Sequence, residues 1–160
     1  MLKPAKNRTI LAMLAALMLG LSSCDSRTDR EKALDCLLEE DNARAIVLFT
    51  KIIKADPGNY DDYSNRGNAY VGLKQYDKAL DDFDKAIELF PDDPEVYSSR
   101  GLTYLYTKEY DKALADCNKA LALDPKDMLT YHFRAKVYDA LGKDLLAKAD
   151  RDKAAELLGN

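Results

Sequence analysis

A register of 34 residues runs through this chain. Asn65-Arg66-Gly67-Asn68-Ala69-Tyr70 is answered by Ser99-Arg100-Gly101-Leu102-Thr103-Tyr104, and Tyr76-Asp77-Lys78-Ala79-Leu80-Asp81 by Tyr110-Asp111-Lys112-Ala113-Leu114-Ala115. Pro57, Pro91 and Pro125 keep the same step, as do Tyr63, Tyr97 and Tyr131, and Ala45, Ala79, Ala113 and Ala147. A period of this size marks small units that cannot bury their apolar faces alone and must stack. It argues against one globular core built round one active site and directs the search for function to surfaces.

Each unit reads as two helices. Val96, Tyr97, Leu102, Tyr104 and Leu105 recur in steps that make one apolar stripe at 3.6 residues per turn, and Ala113, Leu114, Cys117, Ala120 and Leu121 make a second. Asp93-Pro94-Glu95 is a helix start: aspartate accepts from free backbone donors, and proline costs nothing in a first turn. Asn59 and Asp127 offer the same cap. Gly67 and Gly101 fall inside helices, where glycine costs about 0.5–1 kcal/mol relative to alanine. A cost repeated at one period predicts a helix crossing too close for a larger side chain, with Tyr70 and Tyr104 filling the space beside it.

This pattern resembles the tetratricopeptide repeat family from about Arg27 to Leu158. It is most specific over 60–127, where Gly67, Tyr70, Ala79, Phe83, Ala86 and Pro91, then Gly101, Tyr104, Ala113, Ala120 and Pro125, stand at the family's spacings. The outer units depart from it: Ala33 and Cys36 replace glycine and tyrosine in the first, and Ala135 and Arg151 replace glycine and phenylalanine in the last. The resemblance implies an all-α fold, an α-α superhelix of about four helix-turn-helix repeats, here 26–59, 60–93, 94–127 and 128–158 within a domain of 30–158. It also implies a right-handed superhelix whose concave face is lined by the first helix of each pair. On that inner surface it places Ser64, Asn65, Asn68, Ser98, Leu102, Leu105, Tyr106, Leu129, His132 and Phe133, a seat for a protein or peptide. Leu102, Leu105 and Phe133 fit either an open groove or the seam between inner helices. Some family members grip a C-terminal carboxylate with lysine, asparagine and arginine. Asn68 fits that pattern, but Ser64 and Ser98 stand where basic residues would be wanted.

Catalytic constellations do not emerge. His132 is the one histidine in the chain, short of the converging ligands a metal site needs, and neither enzyme activity nor a cofactor is expected. The pairs Asp61-Asp62, Asp81-Asp82 and Asp92-Asp93 lack a calcium loop with its central glycine and read as solvated faces and caps. A row of Arg66, Arg100 and Arg134 recurs with Asp82, Asp116 and Asp150, which predicts structural bridges across each helix pair. Cys36 and Cys117 lie on apolar stripes of distant units and read as unpaired small hydrophobes.

The first 23 residues are of another kind. Lys3, Lys6 and Arg8 precede an apolar run from Ile10 to Leu21, too short for the ~20 residues of a spanning helix and typical of an export signal. It ends Leu21-Ser22-Ser23-Cys24, which resembles the bacterial lipoprotein lipobox. The resemblance implies cleavage after residue 23, a lipid on Cys24, a short tether over 24–29, and anchorage in the cell envelope at either membrane. Loss of the leader removes three basic residues and no acidic one, taking the formal charge from −4 to −7. Such a chain is poorly suited to nucleic acid or anionic lipid, so the lipid itself is the expected membrane attachment. The expected function is a non-enzymatic scaffold for protein–protein interaction in the bacterial envelope. The alternative is an accessory or assembly subunit of an envelope complex. Leu145, Leu146, Leu157 and Leu158 are more apolar than an end cap needs, and exposed leucines there would bring self-association.

Overall fold

The computed structural model describes residues 28–159, which hold eight α-helices and no strand. In chain order they are α1 (Asp29–Leu38), α2 (Asn42–Ala55), α3 (Tyr60–Gly72), α4 (Tyr76–Leu89), α5 (Pro94–Tyr106), α6 (Tyr110–Leu123), α7 (Met128–Ala140) and α8 (Asp144–Leu158). The leader and Cys24 lie outside the described residues. The stretch expected as a tether loses its last two residues to the fold: Thr28 caps α1 in a reciprocal box with Glu31, and Asp29 is helical.

Asn59, Asp93 and Asp127 cap α3, α5 and α7, each accepting from the backbone N–H two residues on, at 2.8–3.0 Å. The second helices of the later pairs, α4, α6 and α8, have no side-chain cap. Their start is set by the turn before them. Glu40, Lys74, Lys108 and Gly142 take φ of 59°, 58°, 65° and 68°, the left-handed conformation that closes a helix C-terminus. The next N–H then reaches back to the carbonyl of Cys36, Tyr70, Tyr104 or Tyr138 at 2.8–2.9 Å. One turn geometry is repeated in all four pairs.

The core is strung along the stack. Ala33, Cys36, Ala45, Phe49 and Ala69 form one cluster, and Ile53, Tyr63, Ala79, Phe83, Ala86 and Val96 form another. The first spans two units and the second three, so no unit owns its core. The glycines allow this closeness. A Cβ built on Gly67 would sit 2.8 Å from the Phe83 ring, and one on Gly101 would sit 3.2 Å from the Cys117 sulfur.

The expected arginine row is present and does more than bridge its own pair. Arg66, Arg100 and Arg134 each grip the aspartate sixteen residues on through Nε and Nη2, at 2.6–2.8 Å. Nη1 of each turns back to the preceding unit, to Thr50, Asp84 and Asn118 respectively. Tyr97 and Tyr104 flank Arg100, and Tyr131 and Tyr138 flank Arg134, with ring centroids 5.5–5.9 Å from the guanidinium carbon. Burial alone would lower the Arg100 pKa. The hydrogen bonds and charges of Asp116 and Asp84 outweigh it and hold that pKa above the ordinary value. These guanidiniums are spent on the fold and do not form a ligand-binding row.

Two acidic residues correct the reading of the aspartate pairs as solvated, Asp82, which is buried under Arg66, and Asp62. Asp62 has no exposed surface, and Arg30 of α1 grips both its oxygens at 2.8 and 2.6 Å. Val96 and Thr130 occupy the same place in the next units. The first unit, which lacks the arginine row, is thus tied to the second by an ion pair of its own.

Candidate protein-binding groove

The first helices of successive units touch directly, α3 against α5 and α5 against α7, and make a continuous inner row. Between α5 and α7 this row opens into a hollow of about 410 Å³, lined by Pro94, Glu95, Ser98, Ser99, Leu102, Asp127, Leu129 and Phe133. Steps of three and four place Glu95, Ser98, Ser99 and Leu102 on one side of α5, and Leu129 and Phe133 face them from α7. Leu129 is exposed, while Phe133 is half-buried and forms part of the wall. The floor is polar but satisfied. Buried Ser98 shares a 2.6 Å hydrogen bond with the Thr130 hydroxyl, which also donates to the Asp127 carboxylate. Glu95 differs, because its carboxylate has no hydrogen bond or ion pair among the described residues.

Of the expected inner-surface residues, the hollow brings together Ser98, Leu102, Leu129 and Phe133. Ser64 is buried, as Ser98 is, so both serines belong to the packing of the inner row more than to an open face. Asn65 and Asn68 are half-buried on α3, one unit away, and Leu105 is half-buried outside the lining. Tyr106 is turned aside: its ring stacks on Tyr76 of the preceding unit at 5.5 Å. His132 is exposed and outside the lining. Pro94 and Asp127 complete the rim and read in the sequence only as helix-start signals. The signal that could have found them is positional, since a cap adjoins the second residue of its helix, and Glu95 and Leu129 are both second residues.

A larger hollow of about 780 Å³ lies at the end of the stack, lined by Pro125, Lys126, Met128, Tyr131, Lys153, Glu156, Leu157 and Leu158. In the second unit Tyr60 and Phe90 stack at 4.8 Å in the register positions of Met128 and Leu158. At this end of the described stack Leu158 is 74% exposed. Cys36 and Cys117 are buried and unpaired, and burial pushes the Cys117 thiol up to about 12. Among the described residues no group of histidine, cysteine, aspartate and glutamate could hold a metal ion, and no helix is long and apolar enough to cross a membrane.

Repeated helix pairs on a shared inner row define an α-α solenoid of the tetratricopeptide type. Residues 60–93 and 94–127 each match the tetratricopeptide repeat family. Over 38 residues, 24% of this chain, the sequence is 55% identical to human tetratricopeptide repeat protein 28, of whose length the match covers 2%. Among solved structures, MamA is similar with a TM-score of 0.75 at 22% identity, covering 90% of this chain and 84% of MamA. The first tetratricopeptide domain of Spaghetti (RPAP3), solved bound to an HSP90 peptide, gives 0.69 at 28% identity, covering 71% of this chain and 90% of that domain. The second such domain of human RPAP3, solved with an HSP70 peptide, gives 0.65 at 25% identity, covering 68% and 91%.

Proposed function

We propose that this chain is a non-enzymatic protein-binding scaffold held at the bacterial cell envelope by a lipid on Cys24, and that it seats a partner segment between α5 and α7. The observation that carries the binding reading is the hollow itself, where Leu102, Leu129 and Phe133 stay accessible on the inner row. Packing at the glycine, alanine and arginine positions accounts for the fold. It does not call for an exposed leucine at 129. Apolar surface framed by polar groups is what a peptide-binding site offers, and the RPAP3 domains of like fold were solved with peptides. The anchorage reading rests on the leader and on Leu21-Ser22-Ser23-Cys24.

The open end face supports a second reading, in which the chain is a standing subunit of an envelope assembly. Met128, Tyr131, Leu157 and Leu158 surround this hollow, and another copy or a larger partner would cover the same surface. A photo-crosslinking residue placed at 129, at 158 or at the exposed outer position 47 in living cells separates the readings. A discrete adduct at 129 alone is the expected result. An adduct at 158 alone favours the assembly subunit, and equal labelling at 47 contradicts both. Intact-mass analysis of membrane-extracted protein checks the anchor: residues 1–23 should be absent and Cys24 should carry a diacylglyceryl group, and an unmodified cysteine refutes it.

A further inference from the structure

We infer that the α5–α7 hollow selects a peptide carrying a lysine or arginine two or three residues from a bulky apolar side chain, and that it rejects acidic tails. This rests on the reading of the hollow as a peptide seat and adds the chemistry of what sits there. One wall is apolar, with Leu102, Leu129 and Phe133, and would take the bulky side chain. The charge on the rim is all negative. Asp127 is engaged by the Leu129 N–H and the Thr130 hydroxyl, but Glu95 is exposed and without a partner among the described residues. Asp61 holds the same second position of its helix one unit earlier and is also exposed, so the acidic edge continues along the row.

No cationic side chain lines the hollow to receive an acidic ligand. At the starts of α5 and α7 a carboxylate already occupies the cap, Asp93 accepting from the Glu95 N–H and Asp127 from the Leu129 N–H, so an incoming anion would meet a like charge there. The two arginines of these helices, Arg100 and Arg134, are committed to Asp116, Asp84, Asp150 and Asn118. Lys136 lies a turn beyond Phe133, outside the lining. Adjacent packed helices lie about 8–10 Å apart, which extended chain crosses in roughly three residues. A ligand with its apolar side chain against Leu129 and Phe133 therefore brings a residue two or three places away opposite Glu95.

The experiment is selection of a random-peptide display library on the full chain, followed by affinity measurements on the enriched synthetic peptides at low and high salt. Enrichment of an apolar residue with lysine or arginine at that spacing is expected. Glu95→Gln should weaken those peptides about fivefold, the scale of one exposed ion pair, and flatten their salt dependence. Phe133→Ala should abolish their binding while the circular dichroism spectrum remains helical. Enriched acidic peptides, or basic ones indifferent to Glu95→Gln, overturn the charge selection while the seat stands if Phe133→Ala still abolishes binding. Peptides indifferent to Phe133→Ala, or no enrichment at all, overturn the seat as well.

Discussion

At Gly67 two effects of similar size oppose each other. Alanine would favour the helix by about 0.8–1 kcal/mol, but its methyl carbon would lie 2.8 Å from a Phe83 ring that has no exposed surface. Overpacking costs about 1–3 kcal/mol, so Gly67→Ala should lower stability to denaturant, by up to about 2 kcal/mol. Gly101→Ala should lose less, because its nearest contact is 3.2 Å. A stabilised Gly67→Ala would show that the crossing is not tight. The Arg100–Asp116 pair tests a different residue-scale term. Both side chains are largely covered, at 18% and 8% exposure, and removing one leaves the other charge stranded. A double-mutant cycle should give a coupling of about 1–3 kcal/mol, and additivity within about 0.5 would contradict the bridge.

Each helix pair depends on a turn that the sequence announces only once. Gly142 has φ of 68° and nothing within 4 Å of where a Cβ would stand, so its requirement is purely one of backbone conformation. Gly142→Ala should therefore cost about 1 kcal/mol, read as a shift in denaturant midpoint, and an unchanged midpoint would remove the left-handed turn as a determinant. Glu40, Lys74 and Lys108 meet the same demand without glycine, which is why the turn geometry was not legible at those positions. The register was legible because Gly67, Gly101 and the arginine–aspartate row repeat a physical need at each crossing. Asp62 was not, since Val96 and Thr130 stand in its place elsewhere and no repetition exposes its role. The groove was legible in part. Leu102, Leu129 and Phe133 follow from the change of the inner positions to apolar residues, whereas the burial of Ser64 and Ser98 and the turning aside of Tyr106 depend on distances between helices that periodicity does not contain.

A stack held by nearest-neighbour seams is stiffest in its middle. The two buried cysteines report on this, Cys36 in the first unit and Cys117 in the third. Because burial raises the Cys117 pKa to about 12, its thiol stays protonated in the folded chain where a free thiol would ionise. Labelling near pH 8 then needs opening of the stack. In chain lacking the leader and carrying Cys24→Ser, Cys36 should label at lower denaturant than Cys117, and simultaneous labelling would indicate one all-or-none unit instead. The central claim for the whole molecule is that the solenoid presents α5 and α7 to a partner. It is tested most directly by Phe133→Ala, with unfolding midpoint and crosslinking from position 129 measured on the same preparation. Phe133 is half-buried, so stability should fall by about 1–2 kcal/mol, short of the 3–5 of a fully buried phenylalanine. Adduct per folded molecule should fall about thirtyfold, as expected of a hot spot worth 2 kcal/mol. A full core-sized loss of stability with adduct unchanged per folded molecule would contradict the account and leave Phe133 as packing between two helices.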